Sequence, residues 1–318
     1  MRHQGGQRRF LAIALPIALS IAFPVSFVPA VAAAPPQPTV AVRRITPLVV
    51  ILRRPGLRTY EEVTEEFMGR VRAAVRIVPA RRRGRDSLLT WLNETKPDLV
   101  FAVGQTAYDL VSAAPTLQIV HAFVYQRQRS SHHGVPATPP PDQVFETFRL
   151  ANPKLRHVAV LCSDETCPAA LQSAPLAQRL GLRLTAIRAT SATDAVSALR
   201  KLPGDVDGLW LVGDLSLLTP QVFQFAVGAQ FRRRLLLMGA TCQHVAQGAL
   251  FALDDDPRHV GQHAAAIANH LLSDGNAATA FDPVQRRHAP RLCVNRTTAE
   301  HLGVDISSLR SRATELIE

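Results

Sequence analysis

"LVFAVGQTAYDLV", residues 99–111, passes from an apolar stretch through a single glycine, Gly104, into polar Gln105 and Thr106 and then into helical spacing. Strand, turn and helix make one βα unit, and the turn decides what that unit can hold. A dinucleotide cradle needs glycines at three set positions and a phosphate loop needs Gly-Lys-Ser/Thr, because backbone must approach the phosphates closely. Only Gly104 is present, and no lysine follows it. The Gly-x-Ser-x-Gly of a nucleophile elbow is missing too. What remains is a helix start whose unpaired N–H groups and positive end attract a carboxylate or another small anion. Thr106 or Gln105 is placed to cap that helix, and the plainer reading gives Thr106 no other task.

The same rhythm runs outward in both directions. Before it come "TPLVVILR" (46–53), the helical spacing of Val63, Phe67 and Val71, "VRIVPA" (75–80) and "SLLTWLNET" (87–95); after it comes "LQIVHAFV" (117–124). Continuous apolar strands separated by helices imply a parallel sheet covered on both faces. "SSHHGVPATPPPD" (130–142) reads as a loop and an internal boundary. Alternation then resumes with strands at 157–162, 183–189, 208–214 and 234–240 and helices at 142–151, 168–180, 193–202 and 220–231. The fold class is therefore α/β, with two Rossmann-like lobes built on parallel sheets.

Beyond these units, "GALFALDDD" (248–256) leads into a helix that Asp256 caps and Pro257 starts, with Val260, Ala264, Ile267 and Leu271 on one face and Gly275 at its end. "PRLCVN" (290–295) is a further strand. These pieces need places in the two sheets, so the chain is expected to cross between lobes more than once, through a multi-strand hinge. The expected division is 46–125 plus about 256–290 for the N-terminal lobe, and 126–255 plus about 291–318 for the C-terminal lobe.

Residues 1–34 join Arg2, Arg8 and Arg9 to an apolar run from Phe10 to about Val31 and then to Ala32-Ala33-Ala34. That order spells a signal peptide cleaved after Ala34, followed by a Pro-rich linker over 35–45. An uncleaved anchor is the competing reading, weakened by Pro16, Pro24 and Pro29. The net charge of +11 includes those three arginines. A basic balance can signal nucleic acid, but an exported chain rarely meets it, and the triplets Arg81-Arg82-Arg83 and Arg232-Arg233-Arg234 read as solvated surface runs. In an oxidising compartment Cys162 and Cys167 suit a disulfide or two free thiols better than a metal site.

Several segments together resemble one family. "LVFAVGQTAYDLV", "NPKLRHVAVLC", "VDGLWLVGD", "GALFALDDDPRHVGQHAAAIANHLLSDG" and "LCVNRTTAEHLGVDI" stand in order over most of residues 45–310. They are similar to the ABC-transporter substrate-binding proteins of the type I periplasmic binding fold, in the branch of tryptophan and tyrosine binders. The resemblance implies two lobes joined by three strands, a ligand gripped between them, and no catalysis. It departs from the family pattern where Gln105 intervenes before Thr106, where Leu215 follows Asp214, and where His121 and Tyr125 occupy a stretch that usually carries a proline.

The residues permit a matching chemistry. Gly104, Gln105 and Thr106 offer an anion site, and Asp214, at the carboxyl end of "GLWLVGD", offers a carboxylate for an ammonium group, or else a simple turn. One group from each lobe would hold the two ends of a zwitterion. Tyr125, Ser216 and Thr241 lie just past strand ends and complete the candidate ligand-binding set, with Arg54 as a second carboxylate partner. No local Ser, His and Asp arrangement singles out an enzyme. His259 and His263, one helical turn apart, raise a metal reading without a third ligand, and a solvated helix face accounts for them. The expectation is an exported, periplasmic, monomeric solute-binding protein without cofactor or metal, binding a small carboxylate-containing ligand, an amino acid first, and passing it to a membrane permease of an ABC uptake system. The alternatives are a periplasmic sensing module for a membrane partner and a metal-binding protein.

Overall fold

The computed structural model describes residues 46–81, 84–125, 132–273 and 290–318. The leader, the linker, Gly275 and the start of the 130–142 stretch lie outside them.

Five strands form the first sheet: β1 (Leu48–Arg53), β2 (Ala74–Pro79), β3 (Leu99–Val103), β4 (Ile119–Val124) and β5 (His133–Pro136), in the order β2-β1-β3-β4-β5 and parallel throughout. Successive side chains point to opposite faces. Val49, Ile51, Leu99 and Phe101 therefore meet Val63 and Phe67 of α1 (Arg58–Met68), while Val50, Leu52, Val100 and Ala102 meet α2 (Arg85–Thr95) and α3 (Gln105–Val111). Burial on both faces is why these strands read as unbroken apolar runs.

The second sheet has seven strands in the order β12-β11-β10-β9-β8-β6-β7. In chain order these are β6 (His157–Cys162), β7 (Arg183–Arg188), β8 (Gly208–Leu211), β9 (Leu236–Gly239), β10 (Phe251–Asp254), β11 (Arg291–Asn295) and β12 (Glu315–Ile317). One face packs α4 (Pro141–Ala151), α5 (Cys167–Leu171) and α6 (Ala174–Arg179) on Val158, Val160, Trp210 and Met238. The other packs α7 (Ala192–Arg200) and α8 (Pro220–Arg233) on Ala159, Leu161, Leu209 and Leu237. Of three short helices, α9 (Cys242–Ala246) packs on β10 and β11, while α11 (Arg296–Leu302) and α12 (Ser307–Arg310) extend the layer of α4.

The long helix α10 (Pro257–Ser273) leaves β10 of the second sheet and packs on α1, β4 and β5 of the first. The chain thus passes between the sheets from β5 to α4, from β10 to α10, and from α10 back to β11. Asp256 caps α10, its Oδ1 accepting from the Arg258 N–H at 2.9 Å, with Pro257 at the first helical position.

Four expectations are corrected. The stretch at 130–142 is not only a loop, since His133–Pro136 pairs in parallel with β4. β5 therefore belongs to the first sheet, and an edge position is what lets Gly134 and Pro136 serve in a strand. The helix expected over 168–180 is two, α5 and α6, because Pro175 lacks an N–H and its ring clashes with the preceding turn. The second sheet is mixed rather than parallel: β11 returns from the first lobe, enters at the opposite end, and runs antiparallel to β10. His263 is not on a solvated face, being 8% exposed, whereas His259 is exposed.

His121 of β4 has no exposed surface, and Tyr108 meets its ring edge-on at 5.4 Å. Burial, aided by nearby His132 and His133 and opposed by a hydrogen bond with the Val135 backbone, lowers its pKa to about 3. The folded ring thus stays neutral where the unfolded one takes a proton, so stability is lost as pH falls below about 6.5, by at most about 1.4 kcal/mol per pH unit. Urea midpoints at pH 7 and pH 5 should differ less in His121→Asn than in the natural protein; an equal difference would assign the acid sensitivity to other groups.

Candidate functional site

The carboxyl ends of β1, β3 and β4 face those of β6, β8, β9 and β10 across a cleft of about 740 Å³. Open α/β sheets bind ligands at this end of their strands, and the volume falls in the range of small-molecule sites. All seven residues selected from the sequence, Gly104, Gln105, Thr106, Tyr125, Asp214, Ser216 and Thr241, line this one cleft. Arg54 lines it too.

On the first-lobe wall, Gly104 has φ +85° and ψ 160°, a conformation essentially reserved for glycine. A Cβ there would lie 2.6 Å from Cζ of Tyr60. Gly104→Ala should cost about 1–3 kcal/mol from backbone strain alone and push the Tyr60 ring into the cleft. Thermal unfolding and the tyrosine near-UV dichroism should change together, and a silent substitution would contradict the close packing.

Neither Gln105 nor Thr106 caps α3, correcting that expectation: the cap position belongs to Gly104, with no side-chain bond to the helix start. The amide of Gln105 is committed to the scaffold instead. Its Nε2 donates to Asp109 Oδ1 at 2.7 Å, and its Oε1 accepts from the Tyr125 N–H at 2.9 Å. The insertion that departs from the family pattern thus ties α3 to the end of β4.

Phe123 has φ +55° where the pairing of β4 with β5 shifts register between Ala122 and Val124. A bulge of this kind re-aims a side chain. Here it stacks the Phe123 ring on Tyr60, centroids 6.0 Å apart, at the cleft wall. Tyr125 reaches toward the second lobe, where a Cβ on Gly213 would sit 3.4 Å from its hydroxyl. Burial, then the nearby Asp214 carboxylate and Tyr60, push its pKa far up, so the phenol stays protonated.

Asp214 is 6% exposed and heavily bonded. Its Oδ1 accepts from the Ser216 N–H at 2.9 Å and the Ser216 hydroxyl at 2.6 Å, and its Oδ2 accepts from the Thr166 hydroxyl at 3.0 Å. Burial raises its pKa, but the bonds from Ser163, Ser216 and Thr166 outweigh that and hold it below the usual carboxylate range. The turn bonds thus coexist with an ionised carboxylate at the cleft wall. The Ser216 hydroxyl is bonded to Asp214, while Thr241 caps α9 by accepting from the His244 N–H. At the hinge, Asp254 accepts from the Cys242 N–H at 3.0 Å and faces Arg291 at 3.4 Å.

Cys162 and Cys167 form a disulfide with Cα atoms 4.9 Å apart, and a second bridge, Cys242–Cys293, has Cα atoms 5.5 Å apart. Among the described residues the group close enough to share a metal is Cys242, Cys293 and Glu315, where the sulfurs are bonded to each other instead of ionised. The sequence reading did not select Tyr60, Phe123, Thr166 or Trp210 as cleft residues. Tyr60 sat in an acidic helix pattern and Phe123 and Trp210 in apolar strands. Only the fold turns them toward the cleft.

A family model described as ABC transporter substrate binding protein matches residues 87–317, and the chain belongs to that family. A search of curated proteins finds no significant match. Solved structures agree on the type I periplasmic binding fold. One is a domain from Streptococcus pneumonia in complex with L-Trp, with a TM-score of 0.65 at 16% identity, covering 86% of this chain and 100% of that one. Another is a conserved domain protein from Vibrio cholerae, with a TM-score of 0.65 at 17% identity over 85% and 99% of the two chains. A ligand-free, open substrate-binding protein with adhesive properties from Clostridium difficile gives 0.60 at 13% identity over 86% and 99%. Members of this family are substrate-binding components of transport, working outside the cytoplasm with a membrane permease. No helix among the described residues is long and apolar enough to cross a membrane.

Proposed function

We propose that this protein is exported to the periplasm, closes its two lobes on an amino acid, and hands it to the permease of an ABC uptake system. The observation that carries this reading is the polarity of the cleft. Arg54 stands on the first-lobe wall and Asp214 on the second, and neither has an ion-pair partner among the described residues. A zwitterion supplies both missing partners, its carboxylate toward Arg54 and the start of α3, its ammonium toward Asp214. The carboxylate of Asp214 is already well bonded, but the Ser163, Thr166 and Ser216 hydroxyls that surround it can rotate to accept as well as donate. The stacked Tyr60 and Phe123 rings offer an apolar surface for the ligand's side chain. The pneumococcal relative's complex with L-Trp is consistent with this choice, whereas other similar structures are a periplasmic ribose ABC transporter and a carbohydrate transporter in complex with myo-inositol, whose compounds are uncharged and rich in hydroxyls. Contact with both walls at once is available only when the lobes close, so binding would shift an open–closed equilibrium.

The test is a thermal-shift screen over the amino acids, ribose, myo-inositol, zinc and nickel, followed by calorimetry. Stabilisation by an amino acid, with L-tryptophan as the first probe, supports the reading. Stabilisation by a polyol or a metal and by no amino acid overturns it.

A further inference from the structure

We propose that the Cys162–Cys167 disulfide is a positioning element of the binding cleft: it clamps the turn that aims the Thr166 hydroxyl at Asp214. The bridge joins the last residue of β6 to the first of α5, closing residues 163–166 into a loop with its ends 4.9 Å apart. Inside the loop the Thr166 and Cys167 N–H groups both donate to the Ser163 carbonyl, at 3.2 and 2.8 Å. The Ser163 N–H donates to Thr166 Oγ1 at 2.9 Å, and that hydroxyl donates onward to Asp214 Oδ2 at 3.0 Å. A backbone donor, a hydroxyl and a carboxylate thus stand in line, and such chains strengthen each member. Ser163 is 8% exposed and Thr166 1%, so water cannot easily replace either hydroxyl.

The location of the bridge separates this role from a general staple. Both sulfurs belong to residues with no exposed surface, which argues against a bond that exchanges readily with external thiols. A six-residue ring also restrains the unfolded chain far less than a long one. Its distinctive effect is local: it keeps the Thr166 donor in register on an anion that lies on a different strand connection, 48 residues further along the chain. With the clamp removed, burial still acts on the Asp214 carboxyl while its compensating bonds weaken, so the group should hold its proton to higher pH. The consequence for ligand binding rests on the amino-acid reading above; the consequence for Asp214 itself does not.

The experiment compares the full chain with Cys162→Ala/Cys167→Ala and with Cys242→Ala/Cys293→Ala as a control. Carbon-detected NMR follows the Asp214 carboxyl titration without ligand. The Cys162/Cys167 variant should titrate at higher pH than the natural protein, and the control should titrate as the natural protein does. L-Tryptophan affinity should fall roughly tenfold in the first variant, about the worth of one charge-assisted hydrogen bond, and its acid limb should move up in pH together with Asp214. Thr166→Val, which keeps the bridge and removes the relay, should raise the Asp214 titration in the same direction and answers the question if the double variant fails to fold. An unchanged Asp214 titration in Thr166→Val or in the folded Cys162/Cys167 variant overturns the proposal, whatever the protein binds. A raised titration with no tryptophan binding in any form supports the positioning role and counts against the amino-acid reading alone.

Discussion

Asp214→Asn is expected to weaken L-tryptophan binding by about 10- to 150-fold, the worth of a hydrogen bond to a charged group. Asparagine keeps the shape, and its carbonyl can still accept from Ser216, so the turn at 214–218 should survive. Its amide presents a donor where Oδ2 accepts from Thr166, but a hydroxyl can turn to accept it. What the substitution removes is the negative charge, which in this buried setting no cation among the described residues balances. Arg54→Gln should cost less, within a few-fold, because Arg54 is exposed and its field is screened by salt. Calorimetry at two ionic strengths separates the two: the Arg54 effect should fade with salt and the Asp214 effect should persist. Equal affinities for Asp214→Asn and the natural protein would remove Asp214 from the binding site.

The largest loss of stability should follow removal of Cys242–Cys293. Its cysteines are 51 residues apart, against 5 for Cys162–Cys167. If a bridge acts mainly by restricting the unfolded chain, the long closure contributes about 4 kcal/mol and the short one about 2 kcal/mol. The long bridge also joins α9, at the cleft wall, to β11, the strand that returns from the first lobe. Replacing both residues by alanine should lower the midpoint of thermal unfolding by roughly 10 °C, given about 2–4 °C per kcal/mol for a chain of this class. Scanning calorimetry on the oxidised proteins would check the order, and a smaller loss for Cys242/Cys293 than for Cys162/Cys167 would show that native packing, not loop closure, dominates.

The parts of this molecule that were readable from residue order share a cause. Strands buried on both faces must be apolar throughout, so β1, β3, β4, β6 and β8 stand out as runs, and the helices between them show the spacing of their covered faces. Asp256 with Pro257 and Asn295 ahead of α11 are local capping signals, and local signals are visible in a linear text. β5 was not readable, because His133-Gly134-Val135-Pro136 has no strand propensity of its own and becomes a strand only by lying along β4. The direction of β11 and the pairing of Cys242 with Cys293 depend on where α10 carries the chain, which no neighbouring residue records.

Residue order by itself determined the α/β alternation, the family, and the strand ends at which Gly104, Tyr125, Asp214 and Thr241 would gather, because apolar periodicity and turn residues act over a few positions. Only the tertiary structure decided what those residues touch. It spends the amide of Gln105 on Asp109 and Tyr125, surrounds Asp214 with three hydroxyl-bearing residues, and turns Phe123 out of its ladder onto Tyr60. Those contacts join segments up to tens of residues apart, and a hydrogen bond is set by the distance between two atoms in space, not by their separation along the chain.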